Sequence, residues 1–299
     1  DSADRQEPTT AITSRADRLH DKIAKLHEEM QRLKALEVRM LEAPDEQISL
    51  TDPDSRSMAT SGRGSGVVGY NVQAAVEIDH HLIVTHDVVQ TGNDTSQLAP
   101  MAQKAKQALG VDELDVVADR GYFSADQIKE CAHADVTPTL PKPQTSSNRK
   151  KGMFVKADFR YVADEDVYIC PAGETLIWRY VTQEAGLVIS RYWTDNCGTS
   201  PLKDQCTTGP QRRISRWEHE HLVEDMQRLL DENPDAMRVR WETVEHPFGT
   251  IKMRLGATHF LMKRLKNVKT EMALSVLAYN LTRVMNIMGI KPLITAIQA

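Results

Sequence analysis

The stretch Leu114-Asp-Val-Val-Ala-Asp-Arg-Gly-Tyr-Phe-Ser124 does most to define the fold of this chain. Its apolar run at residues 116–118 is too short for a helix, which predicts a strand buried on both faces. Asp119 follows at the carboxyl end of that strand, where open α/β sheets collect ligands and catalytic groups. Asp119 could instead only cap the next helix, residues 125–134, but Ser124 is better placed to do so. The sequence therefore predicts a functional carboxylate at Asp119, of the kind that binds a divalent metal.

The composition is that of an ordinary soluble globular protein, because 40% of the 299 residues are hydrophobic and 26% are charged. A net charge of −5 and a pI near 6.1 give no overall sign of nucleic-acid binding, although a local basic surface is compatible with both values. No run of 18 apolar residues predicts a membrane span, and no signal peptide opens the sequence. Four irregularly spaced cysteines do not form a disulfide framework. We expect a cytoplasmic protein.

The first part of the chain, residues 1–46, is predicted to be a helical arm. Apolar residues recur at alternating spacings of four and three, which is typical of the seam of a coiled coil or a helical hairpin. These residues are Leu19, Ile23, Leu26, Met30 and Leu33. Pro44 is expected to end the helix, and the charged remainder carries no chemistry.

Residues 47–143 are predicted to form the first part of an α/β domain. Asp52 and Asp54 lie beside Pro53 and are turn formers first and candidate site residues second. Strands at residues 70–78 and 82–89 form an antiparallel hairpin. A helix from Asn93 through Leu109 ends at Gly110, and the Asp119 strand, a helix and a strand at residues 136–140 follow. The order predicts a mixed sheet covered by helices.

An insertion is predicted at residues 144–208, where glycine, lysine, aromatic residues and short strand signals replace the sheet pattern. Cys170, Cys197 and Cys206 lie in it, and Ser200 stands where a Cys-x-x-Cys pair would have its second thiol. This pattern suggests a zinc knuckle that has lost one ligand, although small buried cysteines are the simpler interpretation.

Residues 209–299 are predicted to be a helical part of the same domain. Pro247 is favoured in the first turn of a helix, so we expect a helix to start near Val244 with Glu245 at its positive end. Lys252 lies two turns further on the same face. Six basic residues and no acidic residue occupy positions 247–269, which predicts a phosphate-binding surface. The alternative is a plain solvated basic face.

Five strings in this order resemble the DDE transposases of bacterial insertion sequences, whose catalytic domain is RNase H-like. The resemblance covers nearly the whole chain. The strings are Ser49-Leu-Thr-Asp-Pro-Asp-Ser-Arg56, Gly69-Tyr-Asn-Val-Gln-Ala74, Ala118-Asp-Arg-Gly-Tyr-Phe123, Val244-Glu-His-Pro-Phe-Gly-Thr-Ile-Lys252 and Leu277-Ala-Tyr-Asn-Leu281.

The resemblance implies the function and the site. Asp119 and Glu245 would be the second and third acids of a catalytic triad and would bind two Mg²⁺ ions, which promote cleavage and strand transfer of DNA. It implies DNA, as transposon ends and target, as the substrate, a homo-oligomer on DNA, and a location at the bacterial nucleoid. Lys252 fits the last position of a Tyr-x2-Arg-x3-Glu-x6-Lys signature. The implied fold is an RNase H-like mixed sheet flanked by helices, with the arm and the Cys-containing insertion.

The chain departs from the family pattern in two places. Arg238 stands in the tyrosine slot of the signature and Trp241 in the arginine slot, although Arg238, Arg240 and Arg254 still offer positive charge to DNA. Relatives carry their first Asp on a strand before the arm, so we expect this chain to lack that strand and to be inactive by itself. Asp52 or Asp54 is the alternative first acid. A remnant that only binds DNA or partner subunits is the alternative function.

Overall fold

A computed structural model describes residues 9–43, 45–58, 66–143 and 146–298, with side chains described from residue 17 onward. Pro44, expected to end the arm, lies outside the described residues. The helices are α1 (Thr9–Glu42), α2 (Leu98–Leu109), α3 (Ala125–His133), α4 (Lys203–Cys206), α5 (Glu220–Glu232), α6 (Ala236–Met253), α7 (Leu265–Met288) and α8 (Ile290–Gln298). The strands are β1 (Arg56–Met58), β2 (Val67–Gly69), β3 (Asn71–Val76), β4 (Ile83–Val89), β5 (Leu114–Val117), β6 (Val136–Thr139), β7 (Arg160–Val162), β8 (Val167–Ile169), β9 (Thr175–Glu184), β10 (Leu187–Trp193) and β11 (Ile214–Trp217).

One compact unit comprises residues 1–72, 88–92 and 259–272. It contains the arm helix α1 and an antiparallel pair, β1 and β2, in which Arg56 lies opposite Gly69. Its aromatic contact is between Tyr70 and Phe260, whose rings meet edge to face with centroids 6.2 Å apart. Across the described ranges of both units, no helix is long and apolar enough to cross a membrane.

The second compact unit comprises residues 73–87, 93–258 and 273–299, and it is a mixture of helices and strands as predicted. The predicted hairpin is confirmed, because β3 pairs with β4 and the N–H of Glu77 donates across the turn to the carbonyl of Leu82. Strands β5 and β6 are parallel, with Leu114 opposite Val136. The prediction of one continuous mixed sheet is wrong for the described residues, since these two pairs are separate two-stranded sheets.

The core beside β5 is formed mainly by helices. Small and apolar residues of α2, α3 and α5 pack against this strand pair, among them Ala99, Ile128 and Met226. Gly110 ends α2 in the left-handed conformation with φ of 66°, which glycine adopts without steric cost and which confirms the predicted helix end. The prediction that β5 is buried on both faces is wrong: Asp115 is exposed and only Ala118, just after the strand, is buried.

The predicted insertion folds as an antiparallel sheet of its own, in the order β11-β10-β9-β8-β7. Its core is aromatic and includes Tyr168 and Tyr192, whose ring centroids lie 5.2 Å apart. Strand β11 extends this sheet beyond residue 208, in a segment that we assigned to the approach to a helix. Strand β11 has only two buried residues, Ile214 and Trp217, and arginines lie before and between them. Its sequence therefore lacks the alternating apolar pattern from which we predict strands.

Candidate functional site

Asp119 lies exposed directly after β5, at the position that the sequence predicts. Its Oδ1 accepts the N–H of Arg120 at 2.7 Å and caps a short 3₁₀ turn, Arg120–Tyr122. Our expectation that Ser124 takes the capping role is wrong, because its side chain makes no capping hydrogen bond to α3. Among the described residues, no donor reaches the second oxygen of Asp119. This oxygen is therefore open to solvent or to a ligand.

The loop of Asp119 is joined to β3 by a buried glutamine. The hydroxyl of Tyr122 donates to Oε1 of Gln73, and Nε2 of Gln73 donates to Oδ1 of Asp94 at 2.7 Å. Burial raises the pKa of Tyr122, and the charges of Asp94 and Asp119 raise it further while Arg240 lowers it. Two carboxylates and one guanidinium therefore act electrostatically on the Tyr122 hydroxyl, whose hydrogen-bond partner is Gln73.

Asp94 is a residue of this site that the sequence analysis missed. A Cβ atom added at Gly121 would lie 3.6 Å from Oδ2 of Asp94, so the backbone of the Asp119 loop runs beside this carboxylate. We assigned Asn93 and Asp94 to a helix start because such residues cap helices and turns. Asn93 does bind Thr95 in this way. The available signal was that Asp94, like Asp119, stands in the segment after a strand: it follows the end of β4 by five residues, and Asp119 follows the end of β5 by two.

The helix that carries Glu245 begins earlier than predicted. Helix α6 starts at Ala236, so our expectation of a start near Val244 is wrong and Glu245 lies in mid-helix. Pro247 is inside the helix and fully buried. A proline in a helix interior removes one backbone hydrogen bond and costs about 3 kcal/mol or more. Tight packing of the Pro247 ring offsets that cost, and a rule based on sequence position does not include packing.

Glu245 lies on the outer face of α6. The buried residues Ala236, Thr243, Pro247 and Ile251 recur at spacings of seven and four, which defines the packed face. Glu245 is rotated by about 200° from both Thr243 and Pro247 at 3.6 residues per turn. It is exposed, and within the described part of the chain it makes no ion pair. Its carboxylate therefore faces away from the packed side of its helix.

The predicted DNA-binding residues fall on different sides of α6. Lys252 follows Glu245 by seven residues and shares its outer face. Arg238 is paired along the helix surface with Asp235 and Glu242, each at 3.1 Å. Arg240 is half-buried beside Tyr122, and Arg254 is exposed just after the helix. Lys252 and Arg254 are thus the exposed members of the four that make no ion pair with another described residue.

The structure brings Asp119 and Arg240 into one neighbourhood, because α6 packs against β5. It does not bring a triad together. Over the residues that the structure describes, no group of three or more His, Cys, Asp or Glu side chains is arranged to hold a metal ion. Glu245 and Asp119 are thus two exposed carboxylates on neighbouring elements.

Asp52 and Asp54, the alternative first acids, serve the start of α7. Oδ1 of Asp52 accepts the N–H of Arg264 at 3.1 Å, and Oδ2 of Asp54 accepts the N–H of Leu265 at 2.9 Å. Burial acts to raise the pKa of Asp52, but hydrogen bonds from the Tyr70 hydroxyl and from backbone N–H groups outweigh it, so its pKa is lowered. Acidic groups at a helix N-terminus satisfy N–H groups that have no partner in the helix. These contacts give both acids a structural role.

The three cysteines of the insertion line one small pocket together with Ser200. All are free thiols, and burial raises the pKa of Cys206. They do not form a metal-binding group with any other described side chain. The three cysteines thus lie close together, as a zinc knuckle requires, but the described residues do not show a set of ligands arranged around a metal ion.

A family model described as the transposase DDE domain matches residues 39–281, which is most of the chain and includes Asp119 and Glu245. The chain belongs to the DDE transposase family. No match was found among curated proteins or among solved structures. As a DDE transposase, the protein is an enzyme of DNA transposition, and its family generally uses a divalent metal.

Proposed function

We propose that this DDE transposase belongs to a bacterial insertion sequence, acts at the nucleoid, and moves the element by cutting DNA strands and joining their 3′ ends to target DNA. The observation that carries the proposal is the family match across residues 39–281, within which Asp119 lies exposed at the end of β5. The five strings shared with insertion-sequence transposases support the bacterial assignment.

We propose further that the catalytic domain is RNase H-like. The order of hairpin, helix, strand, helix and strand from β3 to β6 supports this, as does the combination of antiparallel and parallel pairing. A further strand is needed to join the two pairs into one sheet.

Asp119 and Glu245 are the type of ligand that Mg²⁺ prefers, but two carboxylates are too few to hold it. Carboxylate oxygens are the donors that this cation prefers. Two acids alone do not make a metal centre. Asp94 lies beside the Asp119 loop, but the described residues contain no group of three His, Cys, Asp or Glu side chains arranged to hold a metal ion. We therefore propose that Asp119 and Glu245 are two of the ligands of the metal.

Metal removal tests the proposed reaction. We expect the full-length protein to cut DNA at the ends of its element in the presence of Mg²⁺, and to stop cutting when the metal is chelated. DNA binding should persist in the chelator, because basic side chains contact phosphate without a metal. Denaturing gel electrophoresis measures the cut DNA, and native gel electrophoresis measures the bound DNA. Cutting that continues at the same rate in the chelator would contradict the proposal.

One observation favours a second function, in which the chain binds DNA or partner subunits without cutting. That observation is that the described residues contain no group of three His, Cys, Asp or Glu side chains arranged to hold a metal ion. Binding without strand breaks at any metal concentration, by the full-length protein, would support this second function.

We propose that helix α1 joins two copies of the chain as a coiled coil. Its seam residues are exposed by 44% at Ile23 to 64% at Leu26, so the apolar stripe is uncovered. Glu29 and Lys34 flank the seam at positions where a parallel partner would pair them with opposite charge. These features fit a second copy of the same helix.

Replacing Leu26 with lysine should convert this dimer into a monomer. The substitution places a charge in the seam at each of two facing positions, while Leu26 contributes little to the fold of one copy because it is exposed. Light scattering after gel filtration measures the mass. Gln31→Lys, on the opposite side of α1, should leave the dimer intact. A wild-type protein that is monomeric at high concentration would refute the dimer.

A further inference from the structure

A cavity of about 220 Å³ lies between the end of α6 and the second half of α7, within one compact unit. His246 and Thr250 line it from α6, Arg254 lines it from the residue just after α6, and Tyr279 and Arg283 line it from α7. The first three of these residues are four positions apart, so they form one stripe along the helix and its end. Neither Asp119 nor Glu245 is among the described residues that line this cavity.

The cavity is positively charged. Two guanidinium groups line it, and no carboxylate is among its described lining residues. Desolvation lowers the pKa of His246, and the charges of Arg283, His81 and Arg254 lower it further. The one acid that acts on Tyr279 is Glu77, whose oxygens are held by the N–H groups of the β3–β4 turn. Positive charge therefore dominates the cavity.

Arg283 is held in place by the hairpin turn. Its Nε and Nη2 donate to the carbonyl oxygen of His80 at 3.0 and 2.6 Å. Nη1 makes no hydrogen bond to any described residue. A guanidinium fixed on one edge presents its remaining donors at little further cost in side-chain entropy.

The orientation of His246 is also fixed. The Tyr279 hydroxyl donates its single proton to the carbonyl of His81 at 2.7 Å, so it must accept from Nδ1–H of His246 at 2.8 Å. Nε2 of His246 is then the free ring nitrogen.

We propose that this cavity binds a phosphate group. Two guanidinium groups, the hydroxyl of Thr250 and the amide of Asn286 supply the donors that the tetrahedral oxygens of phosphate require. The group is either a phosphodiester of bound DNA or a free phosphate. The first source rests on the proposed function, because it requires that the protein bind DNA, whereas the second does not.

Arg254→Gln tests the proposal. Arg254 is exposed and follows α6, so its replacement leaves the fold intact. The matched control is Arg228→Gln on α5, which removes the same charge from an exposed residue that pairs with Glu232 and Asp225. Circular dichroism verifies that both variants fold.

Two measurements distinguish the sources. Titration calorimetry with inorganic phosphate at constant ionic strength should show binding that Arg254→Gln weakens by at least about tenfold, the effect of losing one charge-assisted hydrogen bond. Fluorescence anisotropy with duplex DNA should show a salt slope lower by about one. If Arg254→Gln changes both the phosphate affinity and the DNA salt slope, the ligand is a DNA phosphate. If it changes only the affinity for inorganic phosphate, the ligand is a small molecule.

The proposal is overturned if Arg254→Gln and Arg228→Gln bind phosphate and DNA equally well. DNA cleavage measured in parallel keeps the two proposals apart. If the wild-type protein cuts DNA but does not bind phosphate, only the cavity proposal fails. If the wild-type protein binds phosphate but does not cut DNA, only the proposed reaction fails.

Discussion

Replacing Asp119 with asparagine is expected to reduce metal-dependent cleavage by the full-length protein by two orders of magnitude or more. A carboxylate that binds a catalytic metal supports several kcal/mol of transition-state stabilisation, and about 3 kcal/mol corresponds to roughly 150-fold in rate. Asparagine keeps the structural role of Asp119, since its amide oxygen can still accept the N–H of Arg120 and cap the turn. The loss would therefore report on the negative charge. Single-turnover cleavage of end-labelled DNA measures it.

Asp115→Asn is the matched control for this result. Asp115 is exposed on the same strand, four residues before Asp119, and its replacement removes the same charge. We expect it to cut at the wild-type rate. Equal cleavage by Asp119→Asn and wild type would remove Asp119 from the reaction.

Replacing Glu220 with glutamine is expected to lower the free energy of unfolding by about 2–3 kcal/mol, in the range reported for charge-assisted hydrogen bonds and buried ion pairs. Glu220 is 7% exposed and binds Lys156 at 2.7 Å and Lys142 at 3.1 Å. Its second oxygen accepts the N–H of Trp217. Glutamine retains an acceptor for that N–H group but leaves Lys156 half-buried without a counter-charge. Urea unfolding measures the difference.

The pH dependence of the difference in unfolding free energy tests whether the charge of Glu220 causes it. Burial acts to raise the pKa of Glu220, but Lys156 and Lys142 outweigh it, so the pKa is lowered in the folded protein. Its stabilising effect is therefore present above the unfolded pKa of about 4.3 and is lost as the pH falls through the folded value. Wild type and Glu220→Gln should converge in acid. Glu218→Gln, an exposed neighbour, should match wild type throughout, and a constant difference across pH would exclude the ion pairs as the cause.

Local signals in the sequence predicted the elements that local chemistry determines. Gly110 ends α2 because a left-handed backbone is required there, and the alternating residues of β3 and β4 predict a hairpin. The position of Asp119 followed from a short apolar run and the turn after it. Each of these features depends on a few neighbouring residues.

Features that depend on distant contacts were not predictable. Pro247 lies inside α6 because its ring packs in the core, and the position rule for proline omits that energy. The role of Asp52 depends on Arg264, and the position of Asp94 depends on Gln73 and Gly121. The division into separate strand pairs depends on which strands lie beside each other. The periodicity of a single strand carries no information about its partners.

The contact of Asp52 with Arg264 has a consequence for biosynthesis, since it joins residues 212 positions apart. The unit that contains it needs residues 259–272 as well as residues 1–72. At about 5–20 residues per second, the ribosome takes roughly 10–40 s to make the intervening chain. During that interval the apolar stripe of α1 is already outside the ribosome while the unit is incomplete. Two nascent chains on one messenger RNA could therefore pair through their arms before either is finished.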